Sequence, residues 1–391
     1  MSSDEEAIGA ESERALPVLR ALIDSVDRDI LNLLARRMGL VAEVAAFKRH
    51  HGVPIRDVAR ERSLLEDRAT RGAGLGLSPD FVDSVYRSLM KESRDRQAAL
   101  RAGIPREEGQ PKTVAVIGGE GGMGQSLQRL FADLGHAVMS ADLHTELRPV
   151  DAAKAADVVV ISVPIGVTLE VIRTLGPHVR KSSLLMDVTS IKEAPLQAML
   201  DATDASVIGT HPMFGPGVHS FSSQRVVLCR GRGDDWYTWA KRQLEGRGLL
   251  VTEAEAEAHD RTMAIVQVLN HFETQVMGLA LARSGVSLDE TLDYTSPAYL
   301  LEAYVTGRHF AQDPALYGPI EMSNPRTAEV TGTFLEAATE LQDVLRRGDQ
   351  TAFEAIFDEV RGFFGPSFTA EAQEQSRFLI DRLVELTAGH D

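Results

Sequence analysis

Between Leu16 and about His50, apolar residues recur at steps of three and four: Leu19, Leu22, Ile23, Val26, Ile30, Leu33 and Leu34, then Leu40, Val41, Val44 and Phe47. That spacing predicts one long amphipathic helix, which "HHGVP" ends with Gly52 and Pro54. A second helix is expected from about Arg56 to Arg71, stopped by the glycine-rich "GAGLGLSP". A third starts at Ser78-Pro79, with Ser78 as N-cap and Pro79 in the first helical position. Three such helices cannot build a thick core alone, so the long one is expected to pack across a dimer.

The polar, proline-punctuated "AGIPREEGQPK" (102–112) reads as a linker. Beyond it the period changes. "TVAVIGG", "HAVMSAD", "DVVVISVP", "SLLMDVTS", "ASVIGTHP" and "QRVVLCRG" read as strands, with helical stretches between several of them. Alternation of this kind predicts a parallel, doubly wound sheet over residues 113–252. From 253 to 391 helical patterns dominate and no further strand is evident. The expected organisation is multidomain: a short disordered lead (1–15), an all-helical module (16–101), an α/β module (113–252), and an all-helical module (253–391) for dimerisation and substrate binding.

The 391 residues are 43% hydrophobic and 25% charged, as in ordinary globular domains. No apolar run nears the roughly 20 residues that cross a bilayer. The single cysteine, Cys229, excludes an internal disulfide and fits a reducing compartment, and the acidic start lacks the order of a signal peptide. A cytoplasmic protein with no membrane partner is expected. Although the net charge is −16, residues 16–101 hold 16 basic against 12 acidic side chains. That segment has only three aromatics, Phe47, Phe81 and Tyr86, and no basic run, which argues against nucleic acid. A small anionic ligand accounts for the local excess better.

"VAVIGGEGGMGQSLQRLF" places G-x-G-x-x-G at Gly119, Gly121 and Gly124, with Gly122 and Met123 inside the loop. Following a strand and opening a helix, such glycines give a tight turn at the first, close approach to a pyrophosphate at the second, and helix-on-strand packing at the third. The helix start offers unpaired N–H groups to the phosphates. The next strand ends at Asp142, near the roughly 20-residue offset of an acid that bonds a ribose 2′-hydroxyl. An acid there repels a 2′-phosphate, so NAD is favoured over NADP, though Asp142 is also compatible with a plain turn. No metal site is expected.

In "VIGTHPMFGPG", His211 sits between an apolar strand and a stretch stiffened by Pro212 and Pro216. One reading is a histidine facing water in a turn. The other is a general base at the carboxyl edge of the sheet, where ligands of such folds bind. "DVTSIK" brings Ser190 and Lys192 to the same edge, which favours the base. Proton acceptance as hydride leaves is typically worth about 10²- to 10⁴-fold in rate. In the helical module Arg37 and Lys48 point the same way about three turns apart, Asp57, Arg60 and Glu61 share a face, and Ser93 pairs with Gln97 at i, i+4. Solvated ion-paired faces and carboxylate clamps fit these spacings equally well.

With these motifs in hand, residues 16–101 resemble the all-helical chorismate mutases, whose ligand set matches at Arg20, Arg37, Lys48, Asp57, Arg60, Glu61, Ser93 and Gln97. Residues 113–391 resemble prephenate dehydrogenase through "GGEGGMG", "SVPI", "GTHPMFGP", "LNHF", "SPAYLLEAYVTGRHFAQDP" and "IEMSNPR". The order is that of the bifunctional chorismate mutase–prephenate dehydrogenases of tyrosine biosynthesis. The resemblance implies a Rossmann-type NAD domain and a homodimer acting on chorismate and prephenate, with tyrosine as a candidate feedback ligand. It implies that Arg20, from the partner chain, and Arg37 clamp carboxylates, and that Lys48 and Gln97 address the ether oxygen. Glu61 and the Asp57 region would take the ring hydroxyl, Ser93 would assist at a carboxylate, and Arg60 would support. At the second site His211 would take the C4 hydroxyl proton, Ser190 would orient that hydroxyl, and Arg308 would hold substrate carboxylate. Lys192 and His271 are further pocket candidates.

The resemblance departs at Leu300, where a familiar relative has a second arginine, and at Glu120, an acid inside the glycine loop. Competing readings keep the same site chemistry on 4-amino-4-deoxychorismate and its mutase product, or take arogenate as the dehydrogenase substrate. A reading from another class is a non-catalytic, tyrosine-responsive binding protein.

Overall fold

The computed structural model describes residues 15–51, 53, 55, 57–102, 110–218 and 220–387. The expected disordered lead, apart from Ala15, and most of the expected linker lie outside the described residues. Helices α1 (Leu16–His50), α2 (Val58–Ala73) and α3 (Pro79–Ala102) follow the apolar periodicity closely. Val41, Ala45, Val82, Met90 and Ala98 are buried where the three helices meet. The first half of α1 has no such cover: Leu22, Ile23, Val26, Ile30 and Leu33 are 47–62% exposed.

The α/β unit is a seven-stranded sheet in the order β2-β1-β3-β4-β5-β6-β7. Its strands are β1 (Thr113–Ile117), β2 (Ala137–Ala141), β3 (Val158–Ile161), β4 (Leu184–Asp187), β5 (Ser206–Pro212), β6 (Arg225–Arg232) and β7 (Leu250–Ala254). Its helices are α4 (Gly122–Asp133), α5 (Pro149–Ala155), α6 (Ile165–Leu175), α7 (Glu193–Ala202) and α8 (Asp234–Gly246). β1 to β5 pair in parallel, and β1, β3, β4 and β5 are buried almost throughout by two apolar clusters, one on each face. This is the arrangement expected of near-continuous Val/Ile/Leu strands covered by crossover helices. Two features differ from the sequence reading. The sheet is mixed, because β5 reaches β6 through a loop with no crossover helix and therefore pairs with it antiparallel. β7 is a seventh strand, pairing parallel with β6.

The remaining chain is helical: α9 (Ala256–Met263), a π-helical turn (Ala264–Leu269), α10 (Asn270–Arg283), α11 (Leu288–Asp293), α12 (Pro297–Phe310), α13 (Pro314–Ser323), α14 (Thr327–Arg347) and α15 (Gln350–Thr387). Gly365, at φ 71°, kinks α15 ahead of Pro366. Beyond the kink, Arg382 donates to Ser84 Oγ of α3, tying the end of the chain to the first module. Ala264 and Val268 of the π-helical turn pack with Val330 of α14 in a small core within this unit.

Candidate active sites

In the helical module, α1 and α3 present a connected set of polar groups. Arg37 Nη1 donates to Ser93 Oγ at 2.6 Å and to Leu89 O at 3.2 Å. Gln97, one turn beyond Ser93 and 7% exposed, donates to Ser93 O at 3.2 Å and leaves its Oε1 buried without a partner. Lys48 donates to Ile55 O at 2.7 Å, which turns its ammonium back over the start of α2. Glu61, in the first turn of α2, meets Arg94 Nη1 at 2.7 Å, both side chains about one-fifth exposed. Arg94 was not anticipated, although it lies on the face of α3 that carries Gln97. Asp57 caps α2, its carboxylate accepting from Arg60 N at 2.9 Å, a structural role the spacing had not suggested. Arg60 and Arg20 are exposed. Arg20 and Arg37 lie on one helix, 17 residues or about 25 Å apart, too far to share a pocket within one chain.

In the second unit, the glycine loop joins β1 to α4. The tight turn falls on Gly118, at φ 81°, rather than on Gly119 as the motif spacing suggested. A Cβ on Gly124 would sit 2.2 Å from Gly118 O, so only glycine lets α4 pack this closely on the turn. Gly121 caps α4 without a side-chain bond, and Gly122 and Met123 form the first turn of the helix. Asp142 stands against the loop: its carboxylate accepts from Glu120 N at 3.2 Å and from Leu143 N at 2.8 Å. Exposed Glu120 is thereby joined to the loop through its backbone. The cradle fits a dinucleotide: the start of α4 offers N–H groups suited to a pyrophosphate, and Asp142 an acid suited to a ribose hydroxyl.

His211 does not face water. It is 3% exposed, near the end of β5, and its Nδ1 lies 2.9 Å from His259 Nε2. On the other side, Gln267 Nε2 of the π-helical turn lies 3.4 Å from His211 Nε2. Burial, with Lys192 and then His259 as weaker causes, holds the His211 pKa well below the usual histidine value. Lys192 departs from the expected pocket position: its side chain is fully enclosed, pairs with Asp187 and donates to Thr210 O at 2.7 Å, so its ammonium is taken up by protein partners. A buried charge needs such partners. Its effect on the site is electrostatic.

Ser190 is half-buried in the bend between β4 and α7. His271, one turn after Gln267, belongs to a polar cluster: its ring stacks edge-on to Tyr317, lies near His309, and approaches Glu321 at 3.6 Å. Burial brings its pKa down to about 4. Gln275, one turn further, donates to Glu321 at 2.7 Å. Arg308 is exposed on the last turn of α12, beside His309 of that cluster. Leu300, the departure in α12, is 8% exposed and packs as core. Asn324 of "IEMSNPR" is buried and donates to Asp260 O at 2.9 Å, which gives that motif a structural role.

Comparison with known proteins agrees with this two-site layout. Residues 19–98 match the chorismate mutase type II family, residues 132–252 the nucleotide-binding domain of prephenate dehydrogenase, and residues 255–359 its dimerization domain. The chain is 37% identical to the T-protein of Enterobacter agglomerans over 96% of its own length and 98% of that relative. It is 34% identical to the T-protein of Haemophilus influenzae, over 96% and 99%. The chain belongs to the bifunctional chorismate mutase–prephenate dehydrogenase family. A crystal structure of the Aquifex aeolicus prephenate dehydrogenase, in complex with hydroxyphenyl propionate and NAD+, covers 65% of the chain and 98% of its own at TM-score 0.56 and 16% identity, showing the shared fold.

As a bifunctional enzyme of tyrosine biosynthesis, the chain rearranges chorismate to prephenate and oxidatively decarboxylates prephenate to 4-hydroxyphenylpyruvate. Its cofactor is NAD, held on the prephenate dehydrogenase nucleotide-binding domain. Among the described residues no helix is long and apolar enough to cross a membrane.

Proposed function

We propose that each reaction runs in its own module, with the residues described above in separate roles. In the mutase the substrate is a dianion and nothing is protonated or displaced. Rate comes from holding a compact conformer and from stabilising charge on the ether oxygen. Arg37, steadied by Ser93, clamps a carboxylate, and Lys48 with Gln97 Nε2 addresses the ether oxygen. Glu61 accepts the ring hydroxyl. Arg20 acts on the partner's substrate, a reading supported by its distance from Arg37 and by the bare apolar stripe of α1, which a second copy would cover.

Dehydrogenation is carried by one observation: His211 is buried and held neutral at the edge of the nucleotide-binding sheet. Bound NAD+ supplies the hydride acceptor. The prephenate C4 hydroxyl gives its proton to His211 Nε2 as the C4–H pair departs as hydride. The bond to the ring carboxylate then breaks, CO2 leaves and the ring becomes aromatic. Ser190 orients the hydroxyl, while His271 and Arg308 face the substrate side chain and its carboxylate. Tyrosine, which shares the product's phenol and carboxylate, is the proposed feedback ligand, and a homodimer in the cytoplasm is the proposed setting.

One absorbance trace tests the scheme. Chorismate and NAD+ added to the purified protein should give NADH after a lag, whereas prephenate should give it at once. Turnover confined to arogenate or to the amino analogues would reject the substrate assignment.

A further inference from the structure

His211 can act as a base only if the lone pair that meets the substrate sits on one particular ring nitrogen. Neutral imidazole has two tautomers of similar stability, and the partner on the far nitrogen selects between them. Here that partner is itself a histidine, brought from another module. His259 and Asp260 lie on α9, and both are enclosed, at 2% and 1% exposure.

The chain of bonds leaves little freedom. Asp260 Oδ1 accepts from Lys192 N at 2.7 Å and Oδ2 from Glu193 N at 2.9 Å, at the start of α7. These backbone groups only donate, and the positive end of α7 favours a carboxylate there. His259 Nδ1 lies 2.7 Å from Asp260 Oδ1, so this ring nitrogen carries the hydrogen. His259 Nε2 is therefore an acceptor, and at 2.9 Å it takes the N–H of His211 Nδ1. What remains on His211 is a lone pair at Nε2, facing the amide of Gln267 at 3.4 Å.

We propose that His259 and Asp260 are positioning residues of the dehydrogenase: an Asp–His relay from the helical module that locks His211 in the tautomer able to accept the substrate proton, with Gln267 donating to that lone pair until the hydroxyl takes its place. The proposal rests on the assignment of His211 as base. It divides the reacting centre between two units, because α9 belongs to the helical module and β5 to the sheet. When His211 gains its proton, His259 continues to accept from Nδ1, and the developing charge is spread toward Asp260.

The test uses the whole bifunctional chain, in which mutase turnover reports the intact first module and KM for NAD+ the intact nucleotide-binding unit. His259→Leu removes the acceptor at similar bulk; His259→Gln returns a carbonyl oxygen that can accept from Nδ1. His259→Leu should lower dehydrogenase kcat by about 10²- to 10⁴-fold, the range for loss of a base or its tautomer. KM for NAD+ and for prephenate should change less than threefold, and mutase turnover should stay normal. His259→Gln should recover at least a tenth of the wild-type kcat. A His259→Leu enzyme within twofold of wild-type kcat would overturn the proposal. Equal losses for the leucine and glutamine variants would also overturn it, since that pattern marks packing alone. His211→Asn, run alongside, separates the two levels: if it keeps dehydrogenase activity, the base assignment itself fails; if it alone is inactive, only the relay fails.

Discussion

Gly122 lies directly beneath Pro216: a Cβ on the glycine would come within 2.8 Å of the proline Cβ. The loop that leaves His211's strand thus rests on the phosphate-binding turn, and Arg129 of α4 secures it by donating to Val218 O at 2.7 Å. Gly122→Ala should push this loop away, raising KM for NAD+ and lowering dehydrogenase kcat, each by several-fold, while chorismate consumption is unchanged. Gly124→Ala should be more severe, because the obstacle there is the backbone oxygen of Gly118, which cannot swing aside as a side chain can. Steady-state assays of both activities on each variant check this.

Asp142 should set cofactor choice. Its carboxylate stands beside the loop with a charge that repels a 2′-phosphate. Asp142→Asn keeps the size and removes the charge. The ratio of kcat/KM for NADP+ over NAD+ should rise at least tenfold, and an unchanged ratio would show that the residue only shapes the turn.

Mutase activity should depend on Arg37 and be separable from dehydrogenation. Arg37→Ala should abolish NADH formation from chorismate, and added prephenate should restore it. Ser93→Ala, which frees Arg37 of its 2.6 Å acceptor, should raise KM for chorismate several-fold with a smaller change in kcat. Arg94→Ala should also weaken turnover, since Glu61 loses the cation that holds it at 2.7 Å.

Acid should affect activity and stability in known directions. Burial, Lys192 and His259 depress the His211 pKa, so the base stays neutral and dehydrogenase kcat should hold constant from pH 8 to below 6.5. His271 titrates at about 4 in the folded chain, against about 6.5 for an exposed histidine. Between those values the unfolded chain binds more protons, so stability falls as pH falls through the window. Urea midpoints at pH 7 and pH 5 should show a lower midpoint at pH 5. His271→Leu, if it folds, should lessen that difference.

The sequence made the architecture readable because its periods are clean: steps of three and four in α1, nearly continuous apolar runs in β1, β3 and β4. It failed where local signal was weak. β7 carries a polar pair, Thr252 and Glu253, that reads as a helix start, and the reversal at β6 is a property of the loop before it. Lys192 looked like a pocket residue because a lysine at a strand end is usually solvated; its burial depends on Asp187, five positions earlier. His259 and Asp260 escaped notice for another reason. They lie 48 and 49 residues beyond His211 in an ordinary amphipathic stretch, and only the fold brings them to it. The tight turn at Gly118 rather than Gly119 reflects a motif whose spacing was read too literally.

The span from Arg20 to Arg37 along a single rod has a genetic corollary. If every mutase pocket borrows Arg20 from one subunit and Arg37 from the other, a strain carrying two crippled alleles, one for each arginine, need not be auxotrophic. Mixed assemblies would contain one doubly damaged pocket and one wholly intact pocket, so two inactive gene products would restore growth together that neither supports by itself.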